Sequence, residues 1–215
     1  MAQIIFALDF DDIKEAKRWI KRLKRYVNFF KIGYQLFTKY GIDSLKVVKD
    51  EGKDIFLDLK LFDIPEVCGK AVENAAKFGV YSITIHLLAG EKVIEYAKRS
   101  QINGYPHIWG VTVLSSLEGD SLKLAKIGAK YDIDGFIVSG KDVGRLRNKY
   151  PKKEIVVPGI RLKGGSKHTH KKVLTPEEAI KLGADFLVMG RAIREVKDPV
   201  SFLKKLLKYK RRYNE

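Results

Sequence analysis

Strand-like and helix-like patterns of hydrophobic residues alternate along the whole chain. Short apolar runs with two-residue periodicity predict eight β-strands, at residues 3–9, 28–32, 54–60, 81–86, 107–113, 134–138, 154–157 and 185–189. Amphipathic stretches predict helices near residues 12–24, 34–51, 64–78, 90–99, 119–130, 141–149 and 176–182, with a last helix over about 199–210. Eight successive β/α units predict an α/β protein, a (β/α)8 TIM barrel that spans residues 1–215 as a single domain.

An open, doubly wound sheet shares this alternation of strands and helices. A dinucleotide-binding sheet carries Gly-x-Gly-x-x-Gly after its first strand, and this chain lacks that motif there. No linker or domain boundary interrupts the pattern. Asp198 and Pro199 are a cap and first-turn pair for the last helix. The longest irregular stretch, residues 160–174, is rich in glycine and lysine, which in a compact barrel favours a ligand gate.

The third predicted strand carries charged residues on one of its faces. Alternation places Phe56, Asp58 and Lys60 on one side and aliphatic residues on the other. In a parallel barrel the aliphatic side packs under helices, so the polar side lines the interior at the end where it opens into a site. Because an unpaired buried ion costs roughly several kcal/mol, these charges must neutralise one another.

The same alternation points charges of the first two strands into the barrel. Asp9 ends the first strand, and Lys31 lies on the inward face of the second. Catalytic residues of barrels come from the C-terminal ends of different strands, so Asp9, Lys31, Asp58 and Lys60 are expected to converge, with Asp63 on the following loop. A salt-bridge network that only plugs the barrel is the alternative, and it is disfavoured because hydrophobic residues would usually stabilise the barrel as well or better.

Composition limits the class of protein. The net charge of +16 invites a nucleic-acid interpretation, but the lysines of the first helix lie opposite its apolar positions, as on a solvated face. No RNA-binding or DNA-binding signature occurs, so we expect no nucleic-acid partner. No apolar run reaches membrane-spanning length and no signal-peptide layout occurs, so we expect a cytoplasmic protein without membrane contact. The single cysteine, Cys68, excludes an internal disulfide.

Six short motifs carry a resemblance to a known family. Asp58-Leu59-Lys60-Leu61-Phe62-Asp63-Ile64-Pro65 resembles the Asp-x-Lys-x-x-Asp-Ile-Pro signature of the orotidine 5′-monophosphate (OMP) decarboxylase family. Other pieces recur in order along nearly the whole chain, at Leu8-Asp9, Lys31-Ile32-Gly33, Val111-Thr112-Val113-Leu114-Ser115, Val157-Pro158-Gly159-Ile160-Arg161 and Met189-Gly190-Arg191-Ala192-Ile193. The resemblance implies a carboxy-lyase that converts OMP to UMP and CO2 in de novo pyrimidine biosynthesis, without metal or cofactor.

The resemblance also implies the roles of the catalytic residues. Asp58 would lie beside the substrate carboxylate, and Lys60 would stabilise charge at C6 of the pyrimidine and then deliver the proton. In the family the second aspartate, here Asp63, comes from the other subunit, so the resemblance implies a homodimer with shared active sites.

The substrate-binding residues follow from the same resemblance. Asp9 and Lys31 match residues that hold the ribose hydroxyls, and Ser115 matches a hydroxyl that contacts the pyrimidine amide edge. The phosphate site would lie after strands seven and eight, as in many barrel enzymes. The substrate-binding residues there would be Pro158, Arg161, Gly190 and Arg191, where the backbone N–H groups of Gly190 and Arg191 and guanidinium donors can bind an anion. A surface arginine in a loop is the alternative for Arg161.

Two positions depart from the family pattern. Val67 replaces a threonine that contributes a ribose hydrogen bond. The loop over the phosphate lacks the usual glutamine, and His170 is its nearest match. These departures concern ribose contacts and loop closure, and they leave the decarboxylating charges intact.

Two other functions share features with this sequence. Metal-dependent 3-keto-L-gulonate 6-phosphate decarboxylase and hexulose-phosphate synthase share Asp-x-Lys-x-x-Asp, but they place an acidic metal ligand where this chain has Lys31. A cation there would repel Mg²⁺, and Ile64-Pro65 also favours the OMP enzyme. A basic RNA-binding protein is the alternative of another class, and an affinity that collapses with salt would support it.

Overall fold

Eight parallel strands close into a barrel in sequence order, with β1 beside β8. The computed structural model describes residues 2–114, 117, 119–162 and 174–213. The strands are β1 Gln3–Ala7, β2 Phe29–Gly33, β3 Asp54–Leu61, β4 Ser82–His86, β5 His107–Val111, β6 Gly135–Ile137, β7 Glu154–Val157 and β8 Phe186–Met189. The predicted (β/α)8 barrel is confirmed. Two predicted strands, 3–9 and 107–113, are two residues too long because pairing with the neighbouring strands stops earlier.

Helices follow the strands around the outside of the barrel. They are α1 Ile13–Leu23, α2 Tyr34–Tyr40, α3 Asp43–Lys49, α4 Pro65–Lys77, α5 Glu91–Arg99, α6 Ser121–Lys130, α7 Val143–Lys149, α8 Pro176–Lys181, α9 Arg191–Arg194 and α10 Pro199–Tyr213. The prediction of one helix over residues 34–51 was wrong. Gly41 has φ +51 and its N–H donates to the carbonyl of Phe37, so the backbone leaves the helix there and α3 starts a new one.

The predicted cap of the last helix is confirmed. The Asp198 carboxylate accepts from the N–H groups of Val200 and Ser201, at 3.1 and 3.0 Å, and caps α10 before Pro199. Cys68 lies buried on α4. No helix among the described residues is long and apolar enough to cross a membrane.

Alternation along the strands separates two apolar cores. The outer core fills the space between strands and helices and includes Phe6, Phe30 and Ile55. The inner core fills the barrel and has Phe56, Trp109 and Phe186 near its centre. The ring centroid of Trp109 lies 4.7 Å from that of Phe56 and 4.9 Å from that of Phe186. This packed interior closes the barrel below the charged groups at its C-terminal end.

Candidate active site

Four charged side chains form a continuous chain at the C-terminal mouth of the barrel. Lys31 Nζ lies 2.8 Å from Asp9 Oδ1 and 3.9 Å from Asp58 Oδ2. Lys60 Nζ lies 2.8 Å from Asp58 Oδ1. The order Asp9, Lys31, Asp58, Lys60 alternates in sign, so each inner charge faces two opposite ones. The predicted convergence of these four side chains is confirmed.

The middle of this chain is more buried than its ends. The side chains of Lys31 and Asp58 are 12% and 15% exposed, whereas those of Lys60 and Asp9 are 29% and 42% exposed. Low solvent access strengthens the attraction between the inner pair and makes each ion costly to leave unpaired. The two outer groups remain open to a ligand.

Lys60 reaches Asp58 through an irregular backbone. β3 pairs with β4 at Leu57 and Ile83 and next at Leu61 and Ile85, so β3 uses four residues where β4 uses two. Lys60 has φ +44, a conformation that L-residues rarely adopt and that costs about 1–3 kcal/mol. Such strain persists only where surrounding contacts impose it, and it is typical of functional sites.

Two residues of β4 belong to this site although sequence reasoning missed them. Thr84 is fully buried, and its hydroxyl contacts both Asp58 and the backbone of Lys60. His86 lies at the end of the strand, where burial and then the charge of Lys60 lower its pKa. The signal was present in the sequence, because Thr84 and His86 alternate with outward Ile83 and Ile85, as Asp58 alternates with its aliphatic neighbours.

Asp63 does not join the charges of its own chain. Its side chain is exposed, and Oδ1 accepts from the N–H of Ile64 at 2.7 Å. Lys60 pairs instead with Asp58, and the described residues contain no ion pair between Asp63 and Lys60.

A second group of predicted residues lies after β7 and β8. Arg161 follows β7, and Gly190 with Arg191 leads from β8 into α9. Burial and then the charge of Arg191 lower the pKa of Arg161. Pro158 is half-buried next to the end of β7. Two neighbouring cations at this edge can bind a phosphate dianion.

Gly190 lies close to the first strand. A Cβ on Gly190 would be 3.3 Å from the Cβ of Ala7 and 3.9 Å from Asp9 Oδ2. The loop after β8 therefore borders the Asp9 end of the charged chain. These distances bring Gly190 and Asp9 to the same end of the barrel.

Two predicted binding residues, Ser115 and His170, lie outside the described residues. Across residues 2–114, 117, 119–162 and 174–213, no group of three or more His, Cys, Asp or Glu side chains could hold a metal ion.

Known proteins resemble the chain over nearly its whole length. The family model for "Orotidine 5'-phosphate decarboxylase / HUMPS family" matches residues 2–206. Orotidine 5'-phosphate decarboxylase of Aquifex aeolicus is 38% identical, covering 97% of this chain and 98% of the relative. The enzyme of that name from Lawsonia intracellularis is 33% identical, covering 96% and 98%.

Solved structures agree with these sequence comparisons. The crystal structure of orotidine 5'-phosphate decarboxylase from Lactobacillus acidophilus has a TM-score of 0.82 at 29% identity, covering 97% of this chain and 98% of that one. The family model, the relatives and the barrel all indicate one assignment, and this chain belongs to the orotidine 5'-phosphate decarboxylase / HUMPS family.

Proposed function

We propose that this protein decarboxylates OMP to UMP and CO2 without a metal or an organic cofactor, with Lys60 as the proton donor. The observation that carries the proposal is the chain of charges that ends in the Asp58–Lys60 pair, 2.8 Å apart at an open mouth. The names of the relatives support OMP as the substrate. UMP formation would place the enzyme in pyrimidine biosynthesis.

The proposed chemistry uses charge that changes during the reaction. The substrate carboxylate lies beside Asp58, and their repulsion is relieved as the bond from C6 to the carboxylate breaks and CO2 leaves. The electron pair stays on C6, where the Lys60 ammonium stabilises it. A proton then moves from Nζ to C6 and gives UMP. Lys60 is 29% exposed, so it can regain a proton from solvent after product leaves.

The remaining residues bind the rest of the substrate in this proposal. Asp9 and Lys31 hold the ribose hydroxyls, and Arg161 and Arg191 hold the phosphate. Binding energy at the distant phosphate helps to organise the reacting carbon at the Asp58–Lys60 pair.

Lys31 argues against the metal-dependent alternative. Its ammonium lies between Asp9 and Asp58, where it neutralises the carboxylates that a divalent cation would need. Loss of OMP absorbance should therefore proceed at the same rate with EDTA as with added Mg²⁺. Strict Mg²⁺ dependence, or activity on a sugar phosphate alone, would reject the proposal.

We also propose a homodimer in which Asp63 completes the partner's site. Within the described residues Asp63 makes no ion pair with its own Lys60, and it is flanked by exposed apolar side chains, namely Phe62 at 66%, Ile64 at 59% and Val67 at 49% exposure. A second copy of the chain would cover this surface and bring its Asp63 to the mouth.

Subunit mixing tests the shared site. Inactive Asp63→Ala and Lys60→Ala proteins are combined, and each mixed dimer should contain one site with both residues intact. Random exchange makes about half of the dimers mixed, and each mixed dimer has one intact site out of two. Recovery should therefore approach about a quarter of wild-type activity. No recovery after mass spectrometry has shown mixed dimers would place Asp63 in its own subunit's site.

A further inference from the structure

The peptide group that joins Leu59 to Lys60 is held by two side chains. Its carbonyl accepts a hydrogen bond from the hydroxyl of Tyr34, and its N–H donates to Thr84 Oγ1 at 2.8 Å. The backbone pairing of β3 with β4 is interrupted between Leu57 and Leu61. Side chains from the start of α2 and from β4 therefore replace the ladder hydrogen bonds that a regular strand would make at this point.

The hydroxyl of Thr84 makes a second contact. It donates to Asp58 Oδ1 at 3.1 Å, and the same oxygen accepts from Lys60 Nζ at 2.8 Å. One hydroxyl thus fixes the backbone of Lys60 and the carboxylate that pairs with its ammonium. Thr84 is fully buried, so water cannot easily replace the hydroxyl if it is removed.

Tyr34 contacts Lys60 in a second way as well. Lys60 Nζ lies 6.0 Å from the centroid of the Tyr34 ring, within the range of a cation–π contact. Tyr34 therefore touches both the backbone before Lys60 and the side chain itself. Its own exposure of 55% makes it a position where a substitution should not disturb the core.

We propose that Thr84 and Tyr34 are positioning residues that hold the Leu59–Lys60 peptide group in its strained orientation and so keep the ammonium of Lys60 beside Asp58. The inference rests on the proposed function. A φ of +44 is unfavourable for lysine, so without these two hydrogen bonds β3 relaxes toward an extended conformation. The Lys60 side chain then turns away from the reacting carbon, which lowers the rate of proton transfer more than substrate affinity.

Four single variants test this role. Thr84→Val removes the hydroxyl at nearly constant shape, Thr84→Ser keeps it, and Tyr34→Phe removes the other hydroxyl. Thr112→Val is the matched control, because Thr112 is equally buried and its hydroxyl donates to the carbonyl of Ile137, at 2.9 Å, rather than to the Asp58–Lys60 pair. Each protein is assayed for kcat and KM with OMP and for UMP affinity by calorimetry.

The expected result is a separation of kcat from binding. Thr84→Val should lower kcat at least about tenfold with UMP affinity within about threefold of wild type, and Thr84→Ser should recover most of the rate. Tyr34→Phe should show a smaller loss of kcat, again with little change in UMP affinity. Thr112→Val should lose stability without a selective loss of kcat. A Thr84→Val protein with wild-type kcat, or a Thr84→Ser protein as slow as Thr84→Val, overturns the inference. If Thr84→Val does not fold, Tyr34→Phe decides: an unchanged kcat counts against the inference.

A crystal structure of Thr84→Val, or of Tyr34→Phe in its place, separates this inference from the proposed function. Failure of wild type to decarboxylate OMP would defeat the proposed function. The structure of the variant still decides whether the hydroxyl positions Lys60. If Lys60 keeps its positive φ and its contact with Asp58 in the variant, the hydroxyl does not hold it there. Lys60 with an extended backbone supports the inference.

Discussion

At the N-terminal end of the barrel, the Asp134 carboxylate accepts from Lys98 Nζ at 2.9 Å, from Gln101 Nε2 at 3.0 Å and from the N–H of Ile108 at 2.8 Å. At the C-terminal mouth, Asp58 accepts from Lys60 and Thr84 through Oδ1, and its Oδ2 lies 3.9 Å from Lys31. Two neutral N–H donors complete the hydrogen bonds that Asp134 accepts. Asp58 depends mainly on two lysines.

Aromatic rings also cover the N-terminal end. Glu154 Oε2 accepts from Trp109 Nε1 at 2.6 Å and lies 3.0 Å from His107 Nδ1. The His107 ring stacks on Tyr105 with 5.1 Å between centroids, and burial is the main cause of the raised pKa of Tyr81 beside it. The mouth, by contrast, leaves Lys60 and Asp9 partly open.

The comparison indicates that similar Lys, Asp and Glu side chains serve different purposes in one barrel. Carboxylates whose hydrogen bonds are completed by neutral donors, and which lie near aromatic rings, are expected to hold the strands together. Charges that are satisfied largely by one another, at an open edge, can exchange partners with a ligand. Substitutions at the two ends should therefore separate effects on stability from effects on activity.

The largest expected effect is on activity at the mouth. Lys60→Ala should lower kcat by about 10²- to 10⁴-fold because proton delivery is lost, while UMP still binds through its ribose and phosphate. Lys98→Ala is the matched control, since it removes the lysine that pairs with Asp134 at the other end. It should lower stability and leave kcat near wild type. Steady-state kinetics measure kcat of each variant, and calorimetry measures its affinity for UMP. Near-normal turnover of Lys60→Ala would contradict the proposed role of Lys60.

Arginines at the two ends sharpen the comparison. Arg191→Ala should lower kcat/KM for OMP, because a charge-assisted contact to phosphate is lost. The fall should correspond to about 2–4 kcal/mol of lost binding energy. The effect should shrink greatly on orotidine, which lacks the phosphate.

Arg147→Ala is the control for that variant. Arg147 already donates to the carbonyls of Gly183, Pro151 and Lys153 and pairs with Asp185. Its loss should lower the melting temperature without a preference between OMP and orotidine. An equal penalty of Arg191→Ala on both substrates would place Arg191 away from the phosphate.

A smaller effect, on stability alone, is expected for Glu154→Ala. The variant leaves the fully buried Trp109 indole N–H without its acceptor, which should lower the free energy of unfolding by about 1–3 kcal/mol. Urea denaturation measures that change, and kcat per folded molecule should stay unchanged. A large loss of kcat with unchanged stability would contradict the separation of the two ends.

The smallest expected effect is a pH dependence at the N-terminal end. The hydrogen bond to Glu154 raises the pKa of His107 above its ordinary value of 6.5. Protonation of His107 therefore stabilises the fold below about pH 6.5, and this contribution is lost as pH rises through the folded pKa.

His107→Gln tests the direction of this dependence, because its amide can still donate to Glu154 but does not titrate. Urea denaturation across the pH range should show wild type losing stability, relative to the variant, as pH rises above about 6.5. A parallel pH dependence of the two proteins would show that His107 is not the titrating group.

The sequence determined the architecture and the inward direction of the main charges. A two-residue period combined with eight parallel strands leaves one face for helices and one for the interior, so Asp9, Lys31 and Asp58 had to point into the mouth. Local signals also determined the cap of α10 at Asp198, because that hydrogen bond joins residues close in sequence.

Tertiary structure alone decided how Lys60 is presented and which residues support it. Its positive φ follows from a register shift between β3 and β4, and its backbone N–H bonds to Thr84, 24 residues further along the chain. The approach of Gly190 to Ala7 likewise arises only when β8 closes the barrel against β1. Hydrogen bonds and charge contacts between distant residues depend on strand register, and closure of the whole barrel sets that register.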